Sequence, residues 1–159
     1  MKHLKKLSLM LAVLSFICSV SSCKKDKDNE GGSGSNKYEY QGKTVKITLG
    51  DYRSGNGDGA WIYFSGEGYT DFVQLRFAGL TDYTIPTGTF TYKSPADATP
   101  YSATKNFKGA QVIVNNVADE VNGGSVTIAR DGDKYTINFN VTTAKGPLKG
   151  SFTGTLQKI

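Results

Sequence analysis

The feature that most constrains the fold is a strict alternation of apolar and polar residues near the C-terminal end of the sequence. It runs through Lys134–Thr143, where Tyr135, Ile137, Phe139 and Val141 alternate with Thr136, Asn138, Asn140 and Thr142. A period of two places the two sets on opposite faces of a β-strand, one packed on a core and the other in solvent. The segment therefore predicts a half-buried strand of an antiparallel sheet.

The segments on either side extend this strand into a meander. The preceding segment, GSVTIAR, is separated from it by Asp131-Gly132, which is typical of tight hairpins because both residue types tolerate a positive φ angle. Gly146-Pro147 marks a second turn, after which Leu148, Phe152 and Leu156 continue an apolar face. We expect these three strands to form a C-terminal antiparallel meander.

The remainder of residues 37–159 is expected to form short strands as well. Val45, Ile47 and Leu49 alternate, and Gln41-Gly42 just before them is consistent with either a hairpin turn or a bulge. Gly, Asn, Asp and Pro separate the apolar segments, and a length of 159 residues suits one domain. The sequence thus predicts a single all-β domain, an antiparallel β-barrel or β-sandwich of about eight or nine short strands.

The first 22 residues are typical of a secretory signal. The positive start MKHLKK precedes an apolar stretch of 14 residues, Leu7–Val20. This stretch is shorter than the roughly 20 residues that span a membrane. Val20-Ser21-Ser22-Cys23 then resembles the lipobox of bacterial lipoproteins, in which the signal is cleaved off and the cysteine is acylated. The resemblance implies that Cys23 is the lipid attachment site, and two or more acyl chains make a lasting membrane anchor.

Residues 23–36 are expected to form a flexible tether between the anchor and the domain. Charges of both signs are followed by Gly and Ser, with no apolar residue from Lys24 to Asn36. A lysine directly after the lipidated cysteine resembles the sorting pattern for the outer membrane. The run Lys25–Asp28 is similar to the signal that exports Bacteroidota lipoproteins to the cell surface. These resemblances imply a lipid-anchored protein of the outer membrane, on the cell surface or on the periplasmic face.

The rare residue types exclude several kinds of catalytic and metal sites. His3, both methionines and Cys18 lie in the predicted signal, so the mature chain would contain no histidine and a single cysteine, Cys23. Ser-His-Asp and Cys-His catalysis, zinc sites built on His or Cys, and an intrachain disulfide are therefore excluded. We expect no cofactor and no metal.

The charge of the mature chain gives no sign of a nucleic-acid partner. Loss of Lys2, Lys5 and Lys6 from the 19 basic residues leaves 16 against 14 acidic ones. A chain this close to neutrality, with no cluster of Lys and Arg, lacks the positive surface that nucleic-acid binding requires. We therefore expect no nucleic-acid partner.

Aromatic residues give the most specific indication of a binding site. In the segment AWIYFS, Trp61 and Tyr63 lie on one face of a strand and Ile62 and Phe64 on the other, and one pair must face the core. The other pair is either covered, as in a strand buried on both faces, or exposed as a platform for a sugar ring or an apolar ligand. The polar face of the next strand adds an amide and a guanidinium. The candidate ligand-contacting residues are Trp61, Tyr63, Gln74 and Arg76.

Two short motifs are similar to those of the lipocalins, which are ligand-carrying β-barrels. Gly59-Ala60-Trp61 and Thr81-Asp82-Tyr83 occur in the lipocalin order, but their separation is much shorter. The resemblance implies a barrel that carries a small apolar ligand. The expected cavity is lined by Val73, Leu75, Phe77, Ile137 and Phe139.

Oxygen-bearing side chains form two further patterns. Ser54–Gly59 is similar to the start of an EF-hand calcium loop, but Ser65 stands where the final bidentate Glu belongs. The pairs Asp119-Glu120 and Asp131-Asp133 supply the carboxylates that a glycosidase needs. However, neighbouring residues on a strand face opposite ways, and the second pair brackets a hairpin tip. We expect no catalytic residues and no enzymatic activity.

The chain as a whole is similar to the small surface lipoproteins of Bacteroidota, in which a lipobox and a tether with Lys and Asp precede a compact β domain. The resemblance implies a membrane-anchored, non-enzymatic module for extracellular binding, with glycans among the expected ligands. Two alternatives stay open. One is a lipocalin-like carrier of a small apolar ligand, and the other is a structural or assembly component that pairs a strand edge with a partner protein.

Overall fold

The structure, a computed structural model, describes residues 36–55, 59–78 and 84–159. These residues form twelve β-strands and one 3-10 turn, Glu67–Tyr69, and they contain no α-helix. The strands are β1 (Lys37–Tyr40), β2 (Lys43–Lys46), β3 (Leu49–Gly55), β4 (Gly59–Ser65), β5 (Phe72–Phe77), β6 (Gly88–Tyr92), β7 (Asn106–Phe107), β8 (Gly109–Val114), β9 (Val117–Asp131), β10 (Lys134–Thr143), β11 (Gly146–Gly154) and β12 (Gln157–Lys158). The predicted all-β class is confirmed.

Ten of the strands form one curled, open sheet. Its order is β12-β3-β4-β5-β8-β9-β10-β11-β1-β2, and β6 joins it by pairing with β9 and with β7. All pairs are antiparallel except the two short ones, β12 with β3 and β6 with β7. Sheets built largely from antiparallel neighbours need no crossover helices.

The strand count exceeds the eight or nine strands that were expected. The alternation of Val45, Ile47 and Leu49 crosses a break, because the backbone amides of Ile47 and Thr48 bond to Asn36 and Ser65 instead of continuing one ladder. One apolar series therefore spans two strands, β2 and β3. The strands β7 and β12 have two residues each, too few to produce a period that a sequence could reveal.

The expected C-terminal meander is present. Strand β10 pairs with β9 on one side and with β11 on the other, both antiparallel. Its apolar set, which includes Ile137 and Phe139, is buried, and the alternate side chains face outward. Gln41 and Gly42, with φ angles of 50° and 75°, form the hairpin turn between β1 and β2, so the bulge alternative is wrong.

Strand β9 lies in the middle of the strand order and connects the two halves of the curled sheet. Its first residues, Val117 to Glu120, pair with β8, whereas Ser125 to Ile128 pair with β6 and β10. The register with β10 shifts between Thr142 and Thr143, which pair with Gly123 and Val121, so Asn122 is the extra residue of a β-bulge. Gly124 has a φ angle of 95°, and a β-carbon there would collide with the backbone of Asn140. The bulge at Asn122, together with the two glycines that follow it, thus bends the longest strand and lets the sheet curl around its core.

Aromatic rings fill the concave side of the sheet. The largest fully buried side chains are Tyr38, Phe64, Phe77, Phe90 and Phe107. Phe64 lies between two rings of the meander, with centroids 5.6 Å from Phe139 and 5.2 Å from Phe152. Because Phe64 belongs to β4 and its partners to β10 and β11, these contacts join the two ends of the strand order into one core.

Candidate functional site

Strand β4 divides its side chains between the core and the outer, convex face of the sheet. Ile62 and Phe64 are fully buried, whereas Trp61 and Tyr63 point the other way and are half-buried. Trp61 and Tyr63 therefore do not lie in a second core, and the interpretation of β4 as a strand buried on both faces is wrong. Each ring keeps part of its surface open to solvent.

Strand β5 brings the other two predicted residues beside this aromatic pair. Arg76 lies opposite Trp61, and Gln74 lies opposite Tyr63. Directly opposite residues of antiparallel strands share a face and lie close together. All four predicted ligand-contacting residues thus meet on one patch of the outer face.

The pairing of β3 with β4 adds two residues that the sequence analysis missed. Arg53 lies opposite Trp61, and Asp51 lies opposite Tyr63. The segment LGDYRSG has no apolar alternation of its own, so β3 was not recognised as a separate strand. The sequence does contain one sign of this strand, since Tyr52 stands between two charged residues. Such a charged–apolar–charged triplet is the shortest alternation that a half-buried strand can show.

The outer face therefore presents two cross-strand rows. The first row crosses β3, β4 and β5, and the second continues onto β8 and β9. The first row is Arg53, Trp61 and Arg76; the second is Asp51, Tyr63, Gln74, Gln111 and Glu120. We call these eight residues the polar–aromatic strip. With strands about 4.8 Å apart, the second row extends roughly 19 Å across the sheet.

Two guanidinium groups hold the indole ring of Trp61. The Cζ atom of Arg53 lies 5.3 Å from the centre of the indole ring, and that of Arg76 lies 4.6 Å from it. Arg53 also lies 5.7 Å from the ring of Tyr63. These distances are within the range of cation–π attraction, which helps to hold the rings and the two guanidinium groups in place. The patch is thus organised before any ligand arrives.

Burial perturbs the two ionisable groups of the second row that lie closest to this aromatic pair. Asp51 is 8% exposed, and its Oδ1 atom has no hydrogen-bond partner among the described residues. Burial raises the pKa of the Asp51 carboxyl, because ionisation is costly away from water. Burial also raises the pKa of Tyr63, and the neighbouring Arg53 opposes that shift. An unpartnered carboxyl oxygen thus lies beside a partly open aromatic ring.

The far end of the strip is already engaged within the protein. The side-chain amide of Gln111 donates to Oε1 of Glu120 at 2.6 Å. This leaves Asp51 as the carboxyl group of the strip without a full set of partners in the described part of the chain. The end of the strip on β3 is therefore better suited to bind a ligand than the end on β8 and β9.

A second polar cluster lies near the β1–β2 turn. The hydroxyl group of Tyr40 donates to Oδ2 of Asp119 at 2.9 Å and lies 2.9 Å from Oγ1 of Thr143, while Lys145 pairs with Oδ1 of Asp119 at 2.7 Å. Hydrogen bonds and charge from Lys145 lower the pKa of Asp119, and the same pair raises the pKa of Lys145. A groove of about 370 Å³ lies beside the cluster. Every polar atom of this ion pair has a partner, so the cluster serves to tie β1, β9 and β10 together.

The remaining sequence patterns are found in separate places. The ion pair and the hydrogen bond described above place Asp119 and Glu120 on opposite faces of β9, as expected. Asp131 and Asp133 are exposed at the β9–β10 hairpin. The five residues predicted to line a lipocalin-like cavity are all in the core and at most 2% exposed.

Several predictions concern residues outside those that the structure describes. They are the signal over residues 1–22, the lipidated Cys23, most of the tether, the motif Thr81-Asp82-Tyr83 and the side chains of residues 54–58 in the calcium-like loop. Within residues 36–55, 59–78 and 84–159, no three acidic, His or Cys side chains group as metal ligands would. Among the same residues no helix is long and apolar enough to cross a membrane.

Comparison with known proteins gives no relative from which a function could be transferred. No protein-family model, no curated protein and no solved structure matches this chain at a significant level. The functional argument therefore rests on the residues of the polar–aromatic strip.

Proposed function

We propose that this protein is a membrane-anchored, non-enzymatic module that binds glycans outside the cell through the polar–aromatic strip. The observation that carries the proposal is the pair of half-buried rings, Trp61 and Tyr63, on an outer face whose other strip residues are polar or charged. An ordinary solvated sheet face would carry small or charged residues at these positions. On the outer face, large aromatic rings expose apolar surface to water, which is unfavourable. A ligand that packs on the rings removes this surface from water.

The chemistry of the strip suits a sugar. The C–H face of a sugar ring is apolar and packs on an aromatic ring, while its hydroxyl groups require donors and acceptors in the plane around that ring. Gln74 offers an amide that both donates and accepts, and Asp51 adds a carboxyl group whose Oδ1 atom has no partner among the described residues. The rings and the polar groups lie in adjacent rows, so one ligand can reach both.

The predicted anchor agrees with such a role. If residues 24–36 are the flexible tether expected from the sequence, a chain of that length would have a root-mean-square reach of roughly 20 Å. That reach would hold the domain close to the membrane and let it turn toward ligands in the surroundings. Acylation of Cys23 and location at the outer membrane, on the cell surface, are part of this proposal.

The curled sheet is best described as a partly open barrel. Strand β9 pairs with β8 and β6 along one edge and with β10 along the other, so one continuous sheet surrounds one core. This continuity favours a barrel over a sandwich of two separate sheets.

The two alternative functions have less support. A carrier requires internal space, and the residues predicted to line it pack instead against core rings, with Phe139 stacked on Phe64. An assembly role requires an open strand edge. The terminal strand β2 has four residues, two of them the lysines Lys43 and Lys46, and charged edges of this kind discourage pairing.

The test is glycan binding by the full chain, purified in detergent with its anchor, on a broad glycan array. We expect binding to at least one glycan class and its loss, by about tenfold or more, in Trp61→Ala and Tyr63→Ala. Tyr69→Ala is the matched control, because Tyr69 is an aromatic residue that is 65% exposed and lies in the 3-10 turn, outside the strip. If glycans bind and all three variants bind as the wild type does, the strip is not the site. If no glycan binds, the proposed function is wrong.

A further inference from the structure

We infer that the polar–aromatic strip selects acidic sugars: the guanidinium group of Arg53 pairs with the sugar carboxylate, and the buried carboxyl group of Asp51 accepts a hydroxyl of the same ligand. This inference rests on the proposed function and names its substrate class. Neither residue was predicted from the sequence, and both are placed in the site by the pairing of β3 with β4.

Arg53 is a cation held in position without a counter-charge. Its side chain is exposed and stacked on two rings, and no carboxylate of the described residues lies within salt-bridge distance of it. Inside the protein the guanidinium group contacts the two rings and hydrogen-bonds the side chain of Tyr63. Of its five N–H groups, those not directed at Tyr63 stay available to a ligand. A guanidinium edge fits a carboxylate with two parallel hydrogen bonds, a geometry that a neutral hydroxyl does not match.

Asp51 supplies a second requirement that the ligand must meet. The carboxyl group is more than nine-tenths buried, and its Oδ1 atom lacks a partner in the part of the chain that the structure describes. Buried acceptors in native proteins are normally satisfied. Oδ1 is closed to solvent in this structure, so a ligand hydroxyl contacts it only when the side chains that cover it move apart on binding. Sugars carry several hydroxyls on neighbouring carbons.

The two groups are compatible with one anionic ligand. Asp51 and Arg53 are two residues apart on the same face, so their backbones are separated by about 7 Å, the scale of one sugar residue and its substituents. Burial raises the pKa of the Asp51 carboxyl, so a negative charge is less favoured there than on an exposed aspartate. Arg76, stacked on the same indole, adds a second positive charge to the first row.

A sugar acid satisfies these groups better than an acidic peptide does. One uronic or sialic acid residue presents an apolar ring face to Trp61, hydroxyl groups to Asp51 and a carboxylate to Arg53. A peptide carboxylate lies on a flexible side chain and brings no hydroxyl groups with it. The stacked rings would then have no partner.

The experiment uses the sole tryptophan of the chain as its probe. Because Trp61 is that residue, a ligand that covers the strip changes the intrinsic fluorescence directly. The full chain in detergent is titrated with oligogalacturonate, a hyaluronan oligosaccharide and sialyllactose, each beside its methyl ester. Esterification keeps the ring and the hydroxyl groups and removes only the charge. We expect at least one acid to bind about tenfold or more tightly than its ester, with affinity that falls as salt rises.

Variants assign the preference to Arg53. In Arg53→Gln the acid and its ester should bind alike, and Arg53→Lys, which keeps the charge without the planar edge, should retain part of the preference. Arg130→Gln is the matched control, since Arg130 lies 5.3 Å from the ring of Tyr135 at a different hairpin. Circular dichroism and the melting temperature establish that each variant is folded.

The outcomes separate this inference from the proposed function. If neutral glycans bind and no acid is preferred over its ester, the inference is wrong and the proposed function stands. The inference also fails if Arg53→Gln keeps the full preference, or if a polyglutamate peptide binds as tightly as the sugar acids. If neither acidic nor neutral glycans bind, both proposals are wrong.

Discussion

Phe139 and Gly150 lie directly opposite each other on β10 and β11, and the ring of Phe139 occupies the space where a side chain of residue 150 would stand. A β-carbon on Gly150 would overlap that ring and would lie 2.7 Å from Cβ of Tyr38 on the other neighbouring strand. The absence of a side chain at Gly150 therefore lets the ring of Phe139 on β10 lie over β11, next to Tyr38 on β1. This close approach is what brings Phe139 into its stack on Phe64.

Gly150→Ala is expected to destabilise the domain by about 1–3 kcal/mol, because the added methyl group must displace packed rings. Urea unfolding followed by the fluorescence of Trp61 measures the change in the free energy of unfolding. Gly109→Ala is the control. Gly109 also lies in a strand, but a β-carbon there would meet nothing within 4 Å. Equal effects of the two substitutions would contradict the packing of Phe139 described above.

Asp51→Asn should stabilise the domain by about 1 kcal/mol at neutral pH while weakening ligand binding. Burial raises the pKa of Asp51 in the folded state, so the stability of the wild type falls as pH rises above the ordinary range for aspartate. The gain from Asp51→Asn should therefore shrink toward zero near pH 3, where both states of the wild type are protonated. Melting temperatures at pH 7 and pH 3 measure this.

Tyr38→Phe provides the comparison for Asp51→Asn. Tyr38 is fully buried, and its hydroxyl oxygen also lacks a partner among the described residues. Removing it should raise stability by roughly 1 kcal/mol at both pH values and leave ligand binding unchanged. A loss of binding in Tyr38→Phe would show that a change in stability is enough to alter the site. Weaker binding by Asp51→Asn would then be no evidence that Asp51 contacts the ligand.

Asp119→Asn should destabilise the domain at pH 7, with a penalty that disappears on acidification. Lys145 lowers the pKa of Asp119, so the contribution of the pair is present above the ordinary pKa of aspartate and is lost as pH falls through the lowered value. The pair also raises the pKa of Lys145, so the same contribution is lost at high pH, above the raised value. Urea unfolding from pH 7 down to about pH 2 tests the lower limit, and unfolding from pH 7 up to about pH 12 tests the upper limit.

Asp131→Asn is the control for that series. Asp131 is exposed at a hairpin and belongs to none of the salt bridges among the described residues. We expect its stability profile to follow that of the wild type throughout. If the free energy of unfolding of Asp119→Asn differed from that of the wild type by the same amount at every pH, the ion pair with Lys145 would not form in solution.

Asn116→Gly should stabilise the hairpin between β8 and β9 by roughly 0.5 kcal/mol. Asn115 and Asn116 have φ angles of 53° and 62° between the paired residues Val114 and Val117, which is the geometry of a two-residue type I′ turn. Glycine adopts that backbone at lower cost than asparagine. Thermal unfolding measures the gain.

Asn115→Gly gives the contrasting result in the same turn. The side chain of Asn115 accepts a hydrogen bond from Lys43 at 2.9 Å, and glycine removes this bond while relieving the same backbone. We expect its gain to be smaller than that of Asn116→Gly. The reverse order would mean that the contact with Lys43 contributes nothing.

Much of the fold was predictable, and the limits of the prediction have physical causes. The faces of β10 followed from its alternation, since the direction of a side chain on a strand depends only on position along the chain. Strand β3 was missed because most of its side chains are polar and therefore show no apolar alternation. Strand β2 was merged with it because a series of alternating apolar residues does not indicate where the backbone hydrogen bonds change partner strand. Whether Trp61 and Tyr63 are covered or exposed stayed open, since covering a sheet face depends on distant segments.

The sequence by itself determined that the described domain is built of strands and which residues of each strand share a face. It also placed the aromatic pair of β4 together, because Trp61 and Tyr63 are two positions apart. Only the tertiary structure decided that Arg53 and Asp51 lie beside that pair, and that Gln74 and Arg76 lie on its other side. Strand order and register arise from pairing between separate segments, and such pairing is set by the packing of the whole sheet around one core.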